Sequence, residues 1–200
     1  VFSFAKTKNL PVFILGGGSD ILVSGKKFDG VVVKYIGDSY KIDGEFVTAE
    51  AGMEWDDLVK LAVKENLQGL EALSGIPGTV GAAPIQNIGA YGTEISDYFY
   101  KLEAFDLKRG KMVSFTKDQC KFGYRESIFK TKDYWQRFII TSVTLKLAKN
   151  KYSNAKYESL KKYLSSTKPT ISDVRKAVLK ARSDKLEDPK KVGNAGSFFK

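Results

Sequence analysis

The chain has 200 residues, of which 42% are hydrophobic and 28% charged, which suits one large or two small globular domains. It contains no histidine and one cysteine, Cys120, which excludes histidine-based acid–base catalysis and an internal disulfide, argues against a zinc site and fits a reducing compartment. No apolar run approaches the roughly 20 residues of a membrane span, so we expect no membrane segment.

The net charge of +10 is unevenly distributed along the chain. Residues 1–145 hold 18 basic and 18 acidic side chains, whereas residues 146–200 hold 15 basic and 5 acidic ones. One interpretation is a lysine-rich solvated surface, and the other is a C-terminal part that meets an anion. This part carries no zinc-finger or RNA-recognition motif, so a phosphorylated small molecule fits it as well as a nucleic acid does.

The first third of the chain predicts short strands followed by a helix. Apolar runs at 11–15 and 31–33 are typical of buried strands, and residues 40–51 predict a hairpin that turns at Asp43-Gly44. Apolar residues at helical spacing then predict a helix over 54–65.

Residues 75–93 have no charged side chain, five glycines and two prolines. They are too interrupted for a regular helix and too apolar for a solvated linker. We therefore predict a buried, irregular set of loops whose backbone lies close to another group.

The remaining elements follow in order. Strands are predicted at 101–106, 112–115 and 137–147, and residues 148–170 form a polar excursion. Ser172 is the predicted N-cap of a helix that reaches Arg182.

Two glycine-rich segments could carry chemistry, because bare backbone can approach a pyrophosphate or a flat cofactor closely. Each could instead be a tight structural turn, and the first, at 16–19, matches neither a Walker loop nor the full dinucleotide fingerprint. The first glycine loop comprises Gly16, Gly17, Gly18 and Ser19, and the second, at 75–81, includes Gly75, Ile76, Pro77, Gly78, Thr79 and Gly81.

Two single residues are further candidates. Arg125, between aromatic and aliphatic residues, could form an ordinary ion pair with Glu126 or could recognise a carboxylate through its planar guanidinium. Ser197 has no histidine partner and so is not an activated nucleophile, but its hydroxyl could donate a proton to a sufficiently basic carbon. A serine in a glycine turn is more often structural.

Four motifs in this order, ILGGGSDILV, LSGIPGTVGAAPIQNIGAYG, CKFGYRESIFK and GNAGSFFK, closely resemble the UDP-N-acetylenolpyruvoylglucosamine reductase family of bacterial flavoenzymes. The resemblance runs through essentially the whole chain. It implies an α+β fold, the FAD-binding domain of the vanillyl-alcohol-oxidase (PCMH) type, with only the beginning of the substrate-binding domain.

The resemblance also implies a reaction in peptidoglycan synthesis. NADPH reduces non-covalently bound FAD, and the reduced flavin N5 then passes a hydride to the enolpyruvyl ether of UDP-N-acetylglucosamine. Protonation of the adjacent carbon gives UDP-N-acetylmuramate. We expect a cytoplasmic, monomeric enzyme with a UDP-sugar substrate and with neither a nucleic-acid partner nor a metal.

Residue roles follow by matching the motifs. Arg125 resembles the family arginine that stabilises the substrate carboxylate, and Ser197 resembles the proton donor. Tyr157 and Lys185 match residues that meet the substrate diphosphate, although a solvated surface position remains open for both. The FAD-contacting positions are the two glycine loops together with Ile88, Gly89 and Ala90.

The sequence departs from the family pattern at two positions. Asp20 stands where the family often has Asn, and a carboxylate near a pyrophosphate is unfavourable unless it is paired or points away. Glu187 replaces a usual Pro, which loosens a turn.

The resemblance also predicts how the chain divides. We expect a first FAD subdomain at 1–35, a second at 36–186 and the start of the substrate domain at 187–200. The family extends beyond both ends, and a catalytic glutamate lies in that further part. We therefore expect this segment alone to be inactive.

Two alternative functions are weighed against the reductase. A basic module that binds nucleotide or RNA would explain the charge gradient but not the two glycine loops. A flavin oxidase of the same fold often attaches FAD through a histidine, and the chain contains none.

Overall fold

The computed structural model describes residues 1–153, 158–186 and 191–192. The chain begins with a short helix, α1 (Phe2–Thr7), which the sequence pattern did not predict. It is followed by β1 (Val12–Leu15) and β2 (Val31–Lys34), which confirm the two predicted apolar strands. The two strands pair in parallel, with Val12 opposite Val31, and the first glycine loop leaves the carboxyl end of β1.

A five-stranded antiparallel sheet forms the centre of the molecule. Its strands are β3 (Tyr40–Asp43), β4 (Phe46–Glu50), β8 (Phe99–Asp106), β9 (Lys111–Thr116) and β10 (Phe138–Lys146). They lie in the order β3-β4-β10-β8-β9, so that β10 is the middle strand and pairs with both hairpins. The predicted hairpin and the three later strands are confirmed.

Several shorter elements connect these strands. Four two-residue strands are β5 (Leu67–Gln68), β6 (Gly89–Ala90), β7 (Thr93–Glu94) and β11 (Ala148–Lys149). Two small antiparallel ladders join β5 to β11 and β6 to β7, and a one-turn helix, α3 (Lys117–Cys120), follows β9. Short 3₁₀ helices lie at Glu71–Leu73, Ile95–Asp97, Ile128–Lys130 and Glu158–Tyr163.

The predicted amphipathic helix is α2 (Trp55–Lys64), and its buried face joins the main core. Leu58, Val59 and Ala62 recur at helical spacing and are fully buried together with alternate residues of the sheet, such as Leu102 on β8. Trp55 donates from its indole N–H to the carbonyl of Leu73 at 3.0 Å, so the one polar atom of the largest core side chain is satisfied.

The uncharged stretch at 75–93 is irregular and largely buried, as predicted. Its first part runs beside the residues that follow β4. Val80 donates its backbone N–H to the carbonyl of Met53, and Gly81 donates to that of Ala51, both at 2.9 Å. The second glycine loop is thereby fixed to the edge of the core.

The last helix in the described ranges is α4 (Ile171–Ser183). Its N-cap is Thr170 rather than the predicted Ser172, because the Thr170 hydroxyl accepts the backbone N–H of Asp173 at 3.1 Å while the Asp173 carboxylate accepts the N–H of Thr170. Arg175 ties α4 to α2 through two hydrogen bonds to Asp56, at 2.7 and 2.8 Å. None of the helices in the described ranges is long and apolar enough to cross a membrane.

Candidate functional site

The two glycine loops lie against each other. A Cβ atom at Gly17 would lie 3.2 Å from the Cα of Gly78, and one at Gly78 would lie 3.1 Å from the Oγ of Ser19. Gly78 also has φ of 114°, a conformation that other residues rarely adopt. Side chains here would push the loops apart, so glycine keeps two stretches of backbone side by side and open to close approach.

A cavity of about 90 Å³ opens beside the loops, between β1 and the five-stranded sheet. Its wall combines backbone of both glycine loops with aromatic and aliphatic side chains, among them Ile14, Gly16, Tyr35, Thr79, Gly81 and Phe138. Apolar walls next to exposed backbone suit a ligand with flat rings and a polar linkage.

Gln136 holds the two sides of this cavity together. Its side-chain amide accepts a hydrogen bond from the backbone N–H of Ile14 and donates one to the carbonyl of Ile14. It thus forms with Ile14 the two backbone hydrogen bonds that a neighbouring strand would otherwise form. Gln136 itself has φ of 54°, which turns the chain just before β10. The spacing between β1 and the five-stranded sheet is therefore set in part by this one side chain.

The connection from β2 to β3 is fixed by Glu50. The phenol of Tyr35 donates to the Glu50 carboxylate at 2.6 Å, and both the hydroxyl and the backbone N–H of Ser39 donate to the same carboxylate. The hydrogen bond to Glu50 raises the pKa of Tyr35, while the Ser39 hydroxyl lowers the pKa of Glu50. The Tyr35 ring is thereby held in the cavity wall.

Arg125 lies against the loop that follows the second glycine loop. Its guanidinium donates to the carbonyl of Gly89 at 2.6 Å and, over 3.4 Å, to the carbonyl of Asn87 and the carboxylate of Glu94. Arg125 therefore forms its ion pair with Glu94, and not with the adjacent Glu126 that the sequence suggested. About a third of the Arg125 side chain, 32%, stays exposed, which leaves part of the cation accessible to an anion.

Gly89 is required by the position of Arg125. A Cβ atom at Gly89 would lie 2.7 Å from Nη1 of Arg125, so any other residue would displace the guanidinium. Ile88 and Ala90 flank Gly89 and are partly buried against the core. Of the three FAD-contacting positions predicted in this loop, Gly89 therefore contacts Arg125 directly.

The segment around Arg125 is joined to the 85–89 loop by further hydrogen bonds. Ser127 donates from its hydroxyl to the carbonyl of Ile85 at 2.8 Å, and the buried amide of Asn87 donates to the carbonyl of Gly123 and to Glu94, each at 2.8 Å. These partners lie 7 to 42 residues apart in the chain, and sequence reasoning singled out none of them.

Asp20, the departure at the first glycine loop, is paired. The amide of Gln86 donates to its carboxylate, and the carbonyl oxygen of the same amide accepts from Lys130 at 3.2 Å. We expected the Asp20 carboxylate to be paired or to point away. It is paired, and its partner is the uncharged amide of Gln86.

The start of the second glycine loop meets α2 and α4. The backbone N–H of Gly75 donates to Asp56 at 2.6 Å, and a Cβ atom at Gly75 would lie 3.2 Å from Nε of Arg182. Burial raises the pKa of Asp56, but hydrogen bonds from Arg175 and Gly75 outweigh it, so the pKa is lowered overall. Sequence reasoning missed Arg182 as a neighbour of this loop.

The three remaining predicted site residues are placed differently. Lys185 is exposed just beyond α4, where its backbone N–H donates to the carbonyl of Arg182 at 3.1 Å. Tyr157 and Ser197 lie outside the described residues, as does Glu187. The predicted roles of all three candidates stay predictions.

Cys120 is buried, and burial raises the pKa of its thiol to about 12. It therefore stays protonated and inert at neutral pH. Across the described ranges, no three His, Cys, Asp or Glu side chains cluster so as to hold a metal ion.

Comparison with known proteins identifies the class to which this arrangement belongs. A family described as FAD binding domain matches residues 1–116, more than half of the chain. The chain belongs to this FAD-binding-domain family. The two glycine loops lie side by side with little side-chain bulk between them, and the cavity next to them has mainly apolar walls, so these residues fit a flavin dinucleotide, which needs close backbone approach and an apolar site for its ring.

Particular relatives carry one name. The chain is 44% identical over 204 residues to the UDP-N-acetylenolpyruvoylglucosamine reductase of Flavobacterium johnsoniae and 39% identical over 206 residues to that of Pseudomonas aeruginosa. These matches cover 98% and 99% of the chain and 60% of each relative, so the chain spans about 60% of their length. The resemblance stated from the four motifs is confirmed.

Solved structures agree on the fold. The same-named reductase of Thermus caldophilus superposes with a TM-score of 0.67 at 24% identity, over 100% of this chain and 65% of that one. A cholesterol oxidase of Brevibacterium sterolicum gives 0.52 at 15% identity, over 74% of this chain and 31% of that one. The expected α+β FAD-binding fold is therefore confirmed, while the boundaries at 35 and 186 stay predictions.

Proposed function

We propose that the full-length protein containing this chain is an NADPH-dependent UDP-N-acetylenolpyruvoylglucosamine reductase of peptidoglycan synthesis. The single observation that carries the proposal is the placement of Arg125, whose guanidinium is held on the loop that continues from the second glycine loop. It is supported by relatives of this name at 39–44% identity. When bound, FAD would supply the two-electron chemistry that connects NADPH with the enolpyruvyl double bond.

The chain's own residues bind and orient. The glycine loops would hold FAD, because their lack of side chains would let it approach the backbone closely. The Arg125 guanidinium binds the substrate carboxylate, on which negative charge grows as the double bond is reduced. A fixed cation stabilises that charge most in the transition state, where the charge is largest.

The C-terminal part completes the proposal. Ser197 would donate the proton to the carbon adjacent to the one that receives the hydride, and Tyr157 and Lys185 would contact the diphosphate of the UDP-sugar. The excess of 15 basic over 5 acidic residues in 146–200 supports an anionic substrate for this part of the molecule. We propose that the enzyme works as a cytoplasmic monomer.

Anaerobic stopped-flow of the full-length holoenzyme tests the proposal. Flavin absorbance should bleach on mixing with NADPH and return on mixing the reduced enzyme with UDP-N-acetylglucosamine enolpyruvate. A protein that purifies without flavin, or whose reduced flavin reacts only with oxygen, would contradict the reductase and favour an oxidase. Flavin-free, steeply salt-dependent RNA binding would favour the basic binding module.

A further inference from the structure

Gln86 is the junction between the first glycine loop and the segment that carries Arg125. Its amide nitrogen donates to Asp20, next to the first glycine loop. Its amide oxygen accepts from the ammonium of Lys130 at 3.2 Å, and the same ammonium donates to the backbone carbonyl of Arg125 at 2.9 Å. Three side chains therefore connect the two halves of the candidate site in one polar series.

The chemistry of the three groups makes this series directional. A carboxylate only accepts hydrogen bonds and an ammonium only donates them, whereas an amide does both. Asp20 therefore takes the NH₂ of Gln86, and Lys130 takes its oxygen. An Asn at position 20 could present either its oxygen or its nitrogen, so it would no longer require the Gln86 NH₂, and Lys130 alone would then set the orientation of that amide.

The backbone of Arg125 needs such support. Its φ is 55°, a left-handed conformation that is unfavourable for a residue with a side chain. Gly123 and Glu126 close the surrounding turn with reciprocal backbone hydrogen bonds of 3.1 and 3.0 Å. The Lys130 ammonium binds the carbonyl at the centre of this turn, so it stabilises the conformation that directs the guanidinium to Gly89.

We propose that Asp20, Gln86 and Lys130 are positioning residues that hold Arg125 in place and fix its position relative to the first glycine loop. This inference rests on the proposed function, since it assigns them to the alignment of the substrate carboxylate. None of the three needs to touch the reacting atoms.

The test compares Lys130→Met with Lys101→Met in the full-length holoenzyme. Lys101 is the matched control, because its ammonium pairs with Glu103 of the same strand, β8, and its side chain is 44% exposed. Lys130→Met should slow reoxidation of the reduced flavin by the enolpyruvyl substrate by at least about tenfold, the scale expected of a misplaced binding group. NADPH reduction and flavin content should stay within about twofold of wild type.

Two further variants grade the effect. Lys130→Arg keeps a cationic donor and should recover most of the rate. Asp20→Asn should cause a smaller loss than Lys130→Met, because it weakens the hydrogen bond from the Gln86 NH₂ but leaves the ammonium on both the Gln86 oxygen and the Arg125 carbonyl.

Hydrogen exchange gives a readout that does not depend on activity. Amides in residues 123–127 should exchange about tenfold faster in Lys130→Met and unchanged in Lys101→Met, because the turn loses its central contact. If Lys130→Met matches the control in both measurements, or slows both half-reactions equally, the positioning role is wrong. If wild type itself shows neither half-reaction, the proposed function fails. The hydrogen-exchange comparison would then still test whether Lys130 stabilises the turn around Arg125.

Discussion

At the scale of single residues, Arg125 combines restraint with access. Oxygen atoms of Gly89, Asn87 and Glu94 hold its guanidinium on one side, while 32% of the side chain remains exposed. A cation fixed in this way loses little further freedom when it binds a carboxylate. The planar fork matters as much as the charge, because it can contact both a loop carbonyl and a substrate oxygen.

Arg125→Lys tests that geometry. Lysine keeps the charge but loses the fork, so we expect reoxidation of the reduced flavin by the enolpyruvyl substrate to slow by about 100-fold. Single-turnover stopped-flow measures the effect. Arg109→Lys is the control, because Arg109 is 62% exposed in the turn after β8. A loss below fivefold for Arg125→Lys, equal to that of the control, would contradict the proposed role.

Asp106 is a second residue whose charge forms several hydrogen bonds, and in this case they stabilise the fold. It is 1% exposed and accepts two hydrogen bonds from Arg137, at 3.0 and 2.7 Å, and further ones from the backbone N–H groups of Lys108 and Arg109. The Arg137 hydrogen bonds outweigh burial and lower the pKa of Asp106 to about 2. In the unfolded chain the same carboxyl has the usual aspartate pKa of about 3.9.

Asp106→Asn should therefore lower the free energy of unfolding at pH 7 by about 2 kcal/mol, because the buried carboxylate that accepts from Arg137 and from two backbone N–H groups is lost. The folded carboxylate has the lower pKa, so its contribution is complete above about pH 4 and is lost as the pH falls toward 2. Urea unfolding should show the gap between wild type and variant shrinking over that range. Glu103→Gln, which removes an exposed pair, should cost less than about 0.5 kcal/mol.

At the scale of elements, the strands and helices that bury one face could be predicted from the sequence. The sheet strands and α2 show the expected apolar spacing, because burial against one core imposes that period. α1 was missed because a six-residue helix with one buried residue, Ala5, carries too little periodicity. The loop 75–93 could be recognised as buried but not traced, because glycine and proline leave many backbone paths open.

The N-cap of α4 shows where local chemistry decides. Thr170 and Ser172 both carry hydroxyls, but only Thr170 lies three residues before an acid, Asp173, that completes a reciprocal capping box. The spacing Thr-x-x-Asp was present in the sequence and could have identified the cap. Contacts such as Arg125–Glu94 and Gln86–Asp20 could not have been found this way, because they join residues 31 and 66 positions apart.

Thr170→Ala should destabilise the protein by about 1 kcal/mol, since an N–H at the start of α4 loses its acceptor. Thr170→Ser keeps the hydroxyl and should cost less than about half of that. Ser172→Ala, on the exposed first turn, is the matched control and should have almost no effect. Thermal unfolding followed by circular dichroism ranks the three variants. An equal loss for Ser172→Ala and Thr170→Ala would contradict the assigned cap.

At the scale of the whole molecule, the candidate site is assembled from segments that lie far apart in the sequence. Gln136 ties β1 to the turn before β10, Glu50 fixes the connection from β2 to β3, and Gln86 links the first glycine loop to Arg125. Each is a polar side chain that bridges two segments, which is why composition and spacing revealed the loops but not their arrangement. A ligand bound between these segments would stabilise all of them together.

Gly81→Ala tests this coupling. The new Cβ would lie 2.6 Å from the Cβ of Ala51, and neither methyl group can rotate away, so the second glycine loop must shift from β4 at a cost of about 1–3 kcal/mol. We expect FAD to bind at least about tenfold more weakly, and saturating FAD to raise the melting temperature less, because the shifted loop no longer faces the first. Fluorescence titration of the apoprotein measures both the affinity and, on heating, the stabilisation. Ala51→Gly removes the opposing methyl, so the double variant should regain most of the affinity; if it does not, the overlap of these two residues is not what keeps the flavin out.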